Sequence, residues 1–256
     1  MALQASTVWE FQTGGSDNNG GGFTSGGTDY SQQTASQLSL TDLTTTGAGA
    51  TTITTVLGTF TSVMVGNIIY IRSSTSGFQA GFYEIITFTD SKNVILDRTP
   101  SSAAAGVAGV AEVGGCRNSF AAALVAGNTV WVKNGSYTLA AFISETAGTS
   151  PAPIQVLGYN SSRGDNPTST NRPTLVCGAN AMTISNNNIW RNFIFTTSQI
   201  SGVNTGQGMI LENVKVTSTN ATSTNAAINF PSAYGRAINC EVINASGIGI
   251  KMNNTS

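Results

Sequence analysis

Histidine is missing altogether from the 256-residue chain. Its absence removes the side chain that most readily moves protons near neutral pH, and the commonest metal ligand. A Ser/His/Asp site is excluded, and so is a zinc site of the ordinary type. Charge is scarce as well: 11 basic and 12 acidic residues leave a net charge of −1. Nucleic-acid binding calls for a basic stripe, and attachment to a membrane surface calls for a polybasic patch. Neither is present, so no nucleic-acid partner is expected. No apolar run approaches the roughly 20 residues of a membrane span, so no membrane insertion is expected. The start, Met-Ala-Leu-Gln-Ala-Ser-Thr, lacks the basic and apolar regions of a signal peptide, and ordinary secretion is not the expected route. The three cysteines, Cys116, Cys177 and Cys240, are far apart and have no metal-ligand spacing. A small buried hydrophobe is the reading for Cys240.

What is present is Thr, Ser, Asn and Gly, together with 40% hydrophobic residues. That hydrophobic share separates the chain from disordered sequences and points to an all-β fold. Three segments align without gaps: Arg191-Asn192-Phe193-Ile194-Phe195, Glu212-Asn213-Val214-Lys215-Val216 and Ile238-Asn239-Cys240-Glu241-Val242. Each is an asparagine followed by apolar residues at alternate positions. The asparagines are 21 and 26 residues apart, too far for a hairpin and suited to one turn of a β-solenoid. The asparagines should stack about 4.8 Å apart at one corner and hydrogen-bond along the stack.

Ahead of this repeat, Val8–Phe11 reads as a short strand that runs into a Gly/Asn/Asp turn cluster. No Gly-Lys-Ser/Thr follows, so this is not a phosphate-binding loop. Residues 28–50 read as a surface connection. Ile53–Leu57, Val63–Arg72, Gly81–Thr87 and Asn93–Asp97 read as strands of a small antiparallel sheet or barrel. Residues 100–115 read as a linker. Ser119–Gly127 has an N-cap candidate, good helix formers and a glycine stop, which predicts one short helix.

Residues 127–137, Gly-Asn-Thr-Val-Trp-Val-Lys-Asn-Gly-Ser-Tyr, with that helix resemble the opening of right-handed parallel β-helix proteins of the pectate-lyase-like type. Residues 158–167, Gly-Tyr-Asn-Ser-Ser-Arg-Gly-Asp-Asn-Pro, and 171–175, Asn-Arg-Pro-Thr-Leu, are similar to that family's early coils. Residues 8–21, Val-Trp-Glu-Phe-Gln-Thr-Gly-Gly-Ser-Asp-Asn-Asn-Gly-Gly, resemble the strand that precedes the cap, a style found in bacteriophage structural proteins. The resemblance covers about residues 7–27 and 118–256. It implies a right-handed parallel β-helix, with a small antiparallel β domain inserted between the first strand and the capping helix. The implied domains are residues 1–29, 30–115 and 116–256.

Catalysis finds little support. From Cys116 onward the acids are Glu145, Asp165, Glu212 and Glu241. The alignment sets Arg191 over Glu212 and Lys215 over Glu241, so these pair across coils rather than serve a reaction. No catalytic, cofactor-binding or metal-binding residue is assigned, and no cofactor is expected. Arg163-Gly164-Asp165 reads as a turn, not as an adhesion motif. Trp131 and Trp190 flank inward positions and should point outward, to pack or to stack on a sugar. No cap follows the last strand from Gly247, so trimerisation, docking or further sequence should cover it.

The resemblance implies a non-enzymatic phage virion protein, a tail spike, fibre or capsid decoration (cement) protein. Such a protein assembles in the host cytoplasm and is exposed on the particle. Its expected partners are itself, as a homotrimer, and other virion proteins through residues 1–115. The alternative is a polysaccharide depolymerase or lyase, or a passive glycan-binding module for host-surface glycan.

Overall fold

In the computed structural model the described residues are 3–24, 26–74, 77–101, 104–120, 122–138, 146–178, 182–198, 202–219, 226–231, 234–244 and 247–252. The protein is all-β, and it divides into two compact units, Met1–Ala123 and Leu124–Ser256.

In the first unit, β1 (Val8–Phe11) pairs antiparallel with β2 (Gly22–Phe23). Trp9 and Phe11 are fully buried, and Phe11 stacks on Phe120 with centroids 4.9 Å apart. The glycine-rich stretch between the two strands is pressed against the backbone around it. A Cβ on Gly20 would run into the Ile68 carbonyl, and Gly21 sits at φ 82°, where side chains are disfavoured. Arg117, only 2% exposed, ties the stretch down. Its guanidinium donates to the Asp17 and Asn19 carbonyls at 2.8 and 2.9 Å and lies over the Phe82 ring.

Six strands then close into an antiparallel barrel. They are β3 (Leu38–Thr45), β4 (Thr52–Thr54), β5 (Ile68–Ser73), β6 (Gly81–Asp90), β7 (Asn93–Leu96) and β8 (Gly109–Val113). The spatial order is β3-β4-β7-β6-β5-β8. Leu40, Leu43, Ile53, Ile71, Ile85 and Val94 are among the residues that fill it. Closure leaves no unpaired edge.

Two expectations are corrected here. Residues 28–50 are not only a surface connection, because they contain β3. A register shift between Leu40 and Leu43 lets both leucines point inward although they are an odd number of residues apart, which hides the alternation. Residues 100–115 are not a linker, because they contain β8, which pairs with both β3 and β5. Its first residue is glycine because large neighbours already fill the space there. A Cβ on Gly109 would meet the Phe78 ring and Leu43. A third expectation fails as well: the described residues of 119–127 form no helix. One short run of alanines does not meet the cost of helix nucleation by itself, and Phe120 is engaged by Phe11 instead.

The second unit is built from parallel pairs. In chain order its strands are β9 (Thr129–Lys133), β10 (Ser136–Thr138), β11 (Ile154–Tyr159), β12 (Thr174–Gly178), β13 (Met182–Ile184) and β14 (Asn188–Thr197). They continue with β15 (Val203–Thr205), β16 (Ile210–Ser218), β17 (Ala226–Phe230), β18 (Arg236–Ile238), β19 (Glu241–Asn244) and β20 (Ile248–Met252). The first half of β14 pairs with β11 and its second half with β12. β16 lies along the whole of β14, and β18 and β19 pair with its two halves. A separate ladder runs β13-β15-β17-β20. From β14 onward the chain therefore passes the same three ladders repeatedly, in the same order.

Asparagine marks the bend between the two halves of each long strand. Asn192, Asn213 and Asn239 have φ of 64°, 53° and 50°. Asparagine tolerates this left-handed region better than other side chains. The Asn213 amide donates to Asn192 Oδ1 at 2.7 Å, and the Asn192 amide donates to the Gly158 carbonyl at 3.1 Å. Gly158 fills the corner below, where a Cβ would run into the Asn192 carbonyl. Burial falls along the column: Asn192 is buried, Asn213 half-buried and Asn239 exposed.

The bend also changes which faces point inward. Trp190 and Phe193 are three residues apart, yet both are fully buried. Their rings lie 4.9 Å apart, and Trp190 also meets Phe195 at 5.7 Å. The expectation that Trp190 points outward is therefore wrong, because simple alternation does not survive a left-handed residue. Trp131 sits on an unbroken strand between buried Val130 and Val132, and it does face outward, half-buried edge-on to Tyr159.

Asn192→Ala removes the side-chain hydrogen bonds to Gly158, Asn166 and Asn213 and forces alanine into the left-handed region, so it should cost about 2–4 kcal/mol in urea unfolding. Asn192→Gly should cost less, because glycine takes positive φ freely. Equal losses for the two variants would contradict the backbone role.

Candidate functional site

The carboxylates of the parallel ladders are already engaged. Arg191 and Glu212 are direct cross-strand partners, and the Arg191 Nε donates to Glu212 Oε2. Lys215 stands opposite Glu241, with Nζ 3.0 Å from Oε1. Both pairs are as the aligned segments predict. Glu145 lies outside the described residues. Asp165 closes a turn: its carboxylate accepts the backbone N–H groups of Asn160, Ser161 and Ser162 at 2.8–3.2 Å. Gly164 supplies the positive φ of 85°. Arg163-Gly164-Asp165 is thus part of a built turn.

Arg172 escaped the sequence reading. It is 5% exposed, and its guanidinium donates to the Asn213 carbonyl at 2.8 Å and to the Ser169 carbonyl at 3.0 Å. Burial pulls its pKa down, while Glu241 and Cys240 push it back up. It braces the asparagine corner. Cys177 is buried, and burial pushes its thiol up to about 11. Cys240 is half-buried, and burial raises its thiol as well. Both are poor nucleophiles at neutral pH. Among the described residues no three of His, Cys, Asp and Glu gather into a metal-binding group.

A cleft of about 660 Å³ opens in the second unit. The same register that forms the ion pairs builds its floor. Gln155, Ile189, Ile210 and Arg236 stand side by side on successive strands, and half-buried Ile189 and Ile210 line the cleft. One wall is the turn at Thr149–Ala152, where the two residues exchange backbone hydrogen bonds. Asparagines fasten that wall: Asn188 Oδ1 accepts from the Gly148 N–H at 3.0 Å, and the Asn187 amide donates to the Gly148 carbonyl at 3.4 Å. Asn187 and Gln207 face the cleft, and the Gln207 N–H donates to Asn186 Oδ1 at 2.8 Å.

Tyr234 and Arg236 complete the lining. Tyr234 is 80% exposed and holds φ at 66°, an uncommon state for a bulky residue. Arg236 is exposed, and among the described residues no acid pairs with it. Among the described residues the lining contains no carboxylate. These residues offer hydroxyl, amide, phenol and guanidinium groups around an aliphatic floor. The run Asn186-Asn187-Asn188 and the Ile189–Ile210–Arg236 row are visible in the sequence. They stay unremarkable until the register puts them together.

Comparison of the chain with protein-family models, with curated proteins and with solved structures finds no match.

The Arg191→Ala, Glu212→Ala double-mutant cycle should give a coupling of about 0.2–1 kcal/mol that shrinks in about 1 M salt, because both groups are partly exposed. The Asp165 turn should respond to acid. Slight burial pushes this carboxyl up, but the hydrogen bonds from Asn160, Ser161 and Ser162 outweigh it and hold it below the usual carboxylate value of 3.8. A lowered folded-state pKa means a contribution present above the unfolded value and lost as pH falls through the folded one. Amide exchange at residues 160–162, corrected for its intrinsic pH dependence, should therefore gain protection factors above about pH 4 and lose them in stronger acid.

Proposed function

We propose that the chain is a non-enzymatic structural protein of a bacteriophage particle, a tail spike, fibre or capsid decoration protein. In this reading the three parallel ladders are the faces of a right-handed β-helix. The observation that carries the non-catalytic part is the pairing of Arg191 with Glu212 and of Lys215 with Glu241. It gives the ladder carboxylates a structural task, and among the described residues the cleft beside them is lined by no carboxylate. A hydrolase or lyase working on a polysaccharide needs free acid and base groups, usually two carboxylates set around the scissile bond. The particle assignment rests on the resemblance of residues 7–27 and 118–256 to phage β-helix proteins. Residues 1–115 then attach to other virion proteins, and the ladders project as a homotrimer. Exposed Ile238, Ile243, Ile250 and Met252 on the last strands are consistent with a surface that another chain or further sequence covers.

Purified protein should leave capsule and lipopolysaccharide from candidate host bacteria intact. Release of oligosaccharide that Glu212→Gln or Glu241→Gln abolishes would overturn the non-catalytic reading. Sedimentation equilibrium should give three times the 26.3 kDa chain mass, and a monomer at all concentrations would overturn the trimer. Antibody labelling of phage particles should decorate the head or tail surface, and unlabelled particles would remove the virion assignment.

A further inference from the structure

We infer that the cleft between Thr149–Pro153 and Tyr234–Arg236 is a binding site for a saccharide unit that carries a carboxylate, held without being cleaved. Three features of the lining set this ligand class. The first is the floor: Ile189, Ile210 and Pro153 are partly buried aliphatic groups that offer a flat apolar surface, as the C–H face of a sugar ring requires. Tyr234 adds an aromatic face beside it, 80% exposed and fixed by a left-handed backbone. Nothing in that geometry buries the ring, so the protein spends backbone strain on an aromatic left open to solvent.

The second feature is the rim. Thr149, Ser150, Asn187 and Gln207 present short hydroxyl and amide groups suited to hydroxyl-bearing ligands. The wall that carries Thr149 and Ser150 is prefastened by Asn187 and Asn188, so little order is lost there on binding. The third feature is charge. Arg236 is the one ionised side chain among the described residues of the lining, and no described acid neutralises it. Glu212, on the strand that pairs with Arg236's own, is engaged by Arg191. A guanidinium left unpaired beside polar rim groups suits a carboxylate, which it can grip with two parallel hydrogen bonds. The cleft volume of about 660 Å³ falls within the range of small-ligand sites, roughly 300–1,000 Å³.

The site does not depend on the particle assignment. The test is isothermal titration of the full chain with a short oligosaccharide of glucuronic acid and with its neutral glucose counterpart. The acidic sugar should bind, and the neutral one should bind at least about tenfold more weakly. Arg236→Gln should abolish that preference. Tyr234→Ala should weaken both sugars about tenfold, and Tyr234→Phe should restore them. Arg163→Gln, outside the cleft, should change nothing. Equal binding of the two sugars, or binding indifferent to both Arg236→Gln and Tyr234→Ala, would overturn the site as assigned. So would no heat from either sugar at millimolar concentration. A carboxylate-terminated peptide that binds as well as the acidic sugar would overturn the saccharide class. Shortening of the sugar during the titration would overturn the non-catalytic reading while leaving the site in place.

Discussion

Parallel pairing at a fixed spacing of about 4.8 Å is the constraint on which the second unit depends. In register, each residue lies directly beside its counterpart in the next passage, so every row across the strands must be compatible with itself. Apolar residues satisfy the requirement inside, as in the Val130–Val156–Trp190–Leu211 row. Asparagine satisfies it at the bend, because its amide is donor and acceptor at once and can bond to a copy of itself. Charge satisfies it only by alternation in sign, and that is the arrangement of Arg191 with Glu212 and of Lys215 with Glu241. Among the described pairs of these ladders, no charge stands opposite another of its own sign.

The barrel of the first unit solves a different problem. It has no repeat to lean on, and it closes by pairing its first strand with its last. The glycine-rich segment ahead of it has few side chains with which to pack. It is held instead by a buried guanidinium that bonds to backbone carbonyls, with Asn19 bonding the carbonyls of Thr34 and Cys116 in the same way. Polar side chains replace an apolar core there, and the stretch keeps a defined path because its carbonyls are satisfied one by one.

These differences account for what could be read in the sequence. The asparagine bends and both ion pairs were legible, because a gapless alignment of three segments is enough to infer register. Trp190 was misread because that alignment does not show the parity shift at Asn192. β3 and β8 were missed because a bulge conceals the first and the Ala/Gly-rich sequence leading into the second disguises it. Both are recognisable only once Phe78 and Leu43 are known to fill the space beside Gly109. The short helix at 119–127 was inferred from local propensity, and a contact between Phe11 and Phe120 prevailed over it. The cleft was illegible for another reason. Its residues come from positions 149 to 236, and the lining includes loop residues whose placement no periodicity reports.

The asparagine bends recur after 21 and then 26 residues, yet the ladders on either side stay in register. Chain length between bends and alignment of the strands are thus separate variables. Part of the longer interval lies in the ladder itself, where β17 has five residues against the three of β15 and still pairs with it in parallel. A passage can therefore change in length while the rows on either side of it keep their partners, which makes this half of the protein a frame that tolerates insertion.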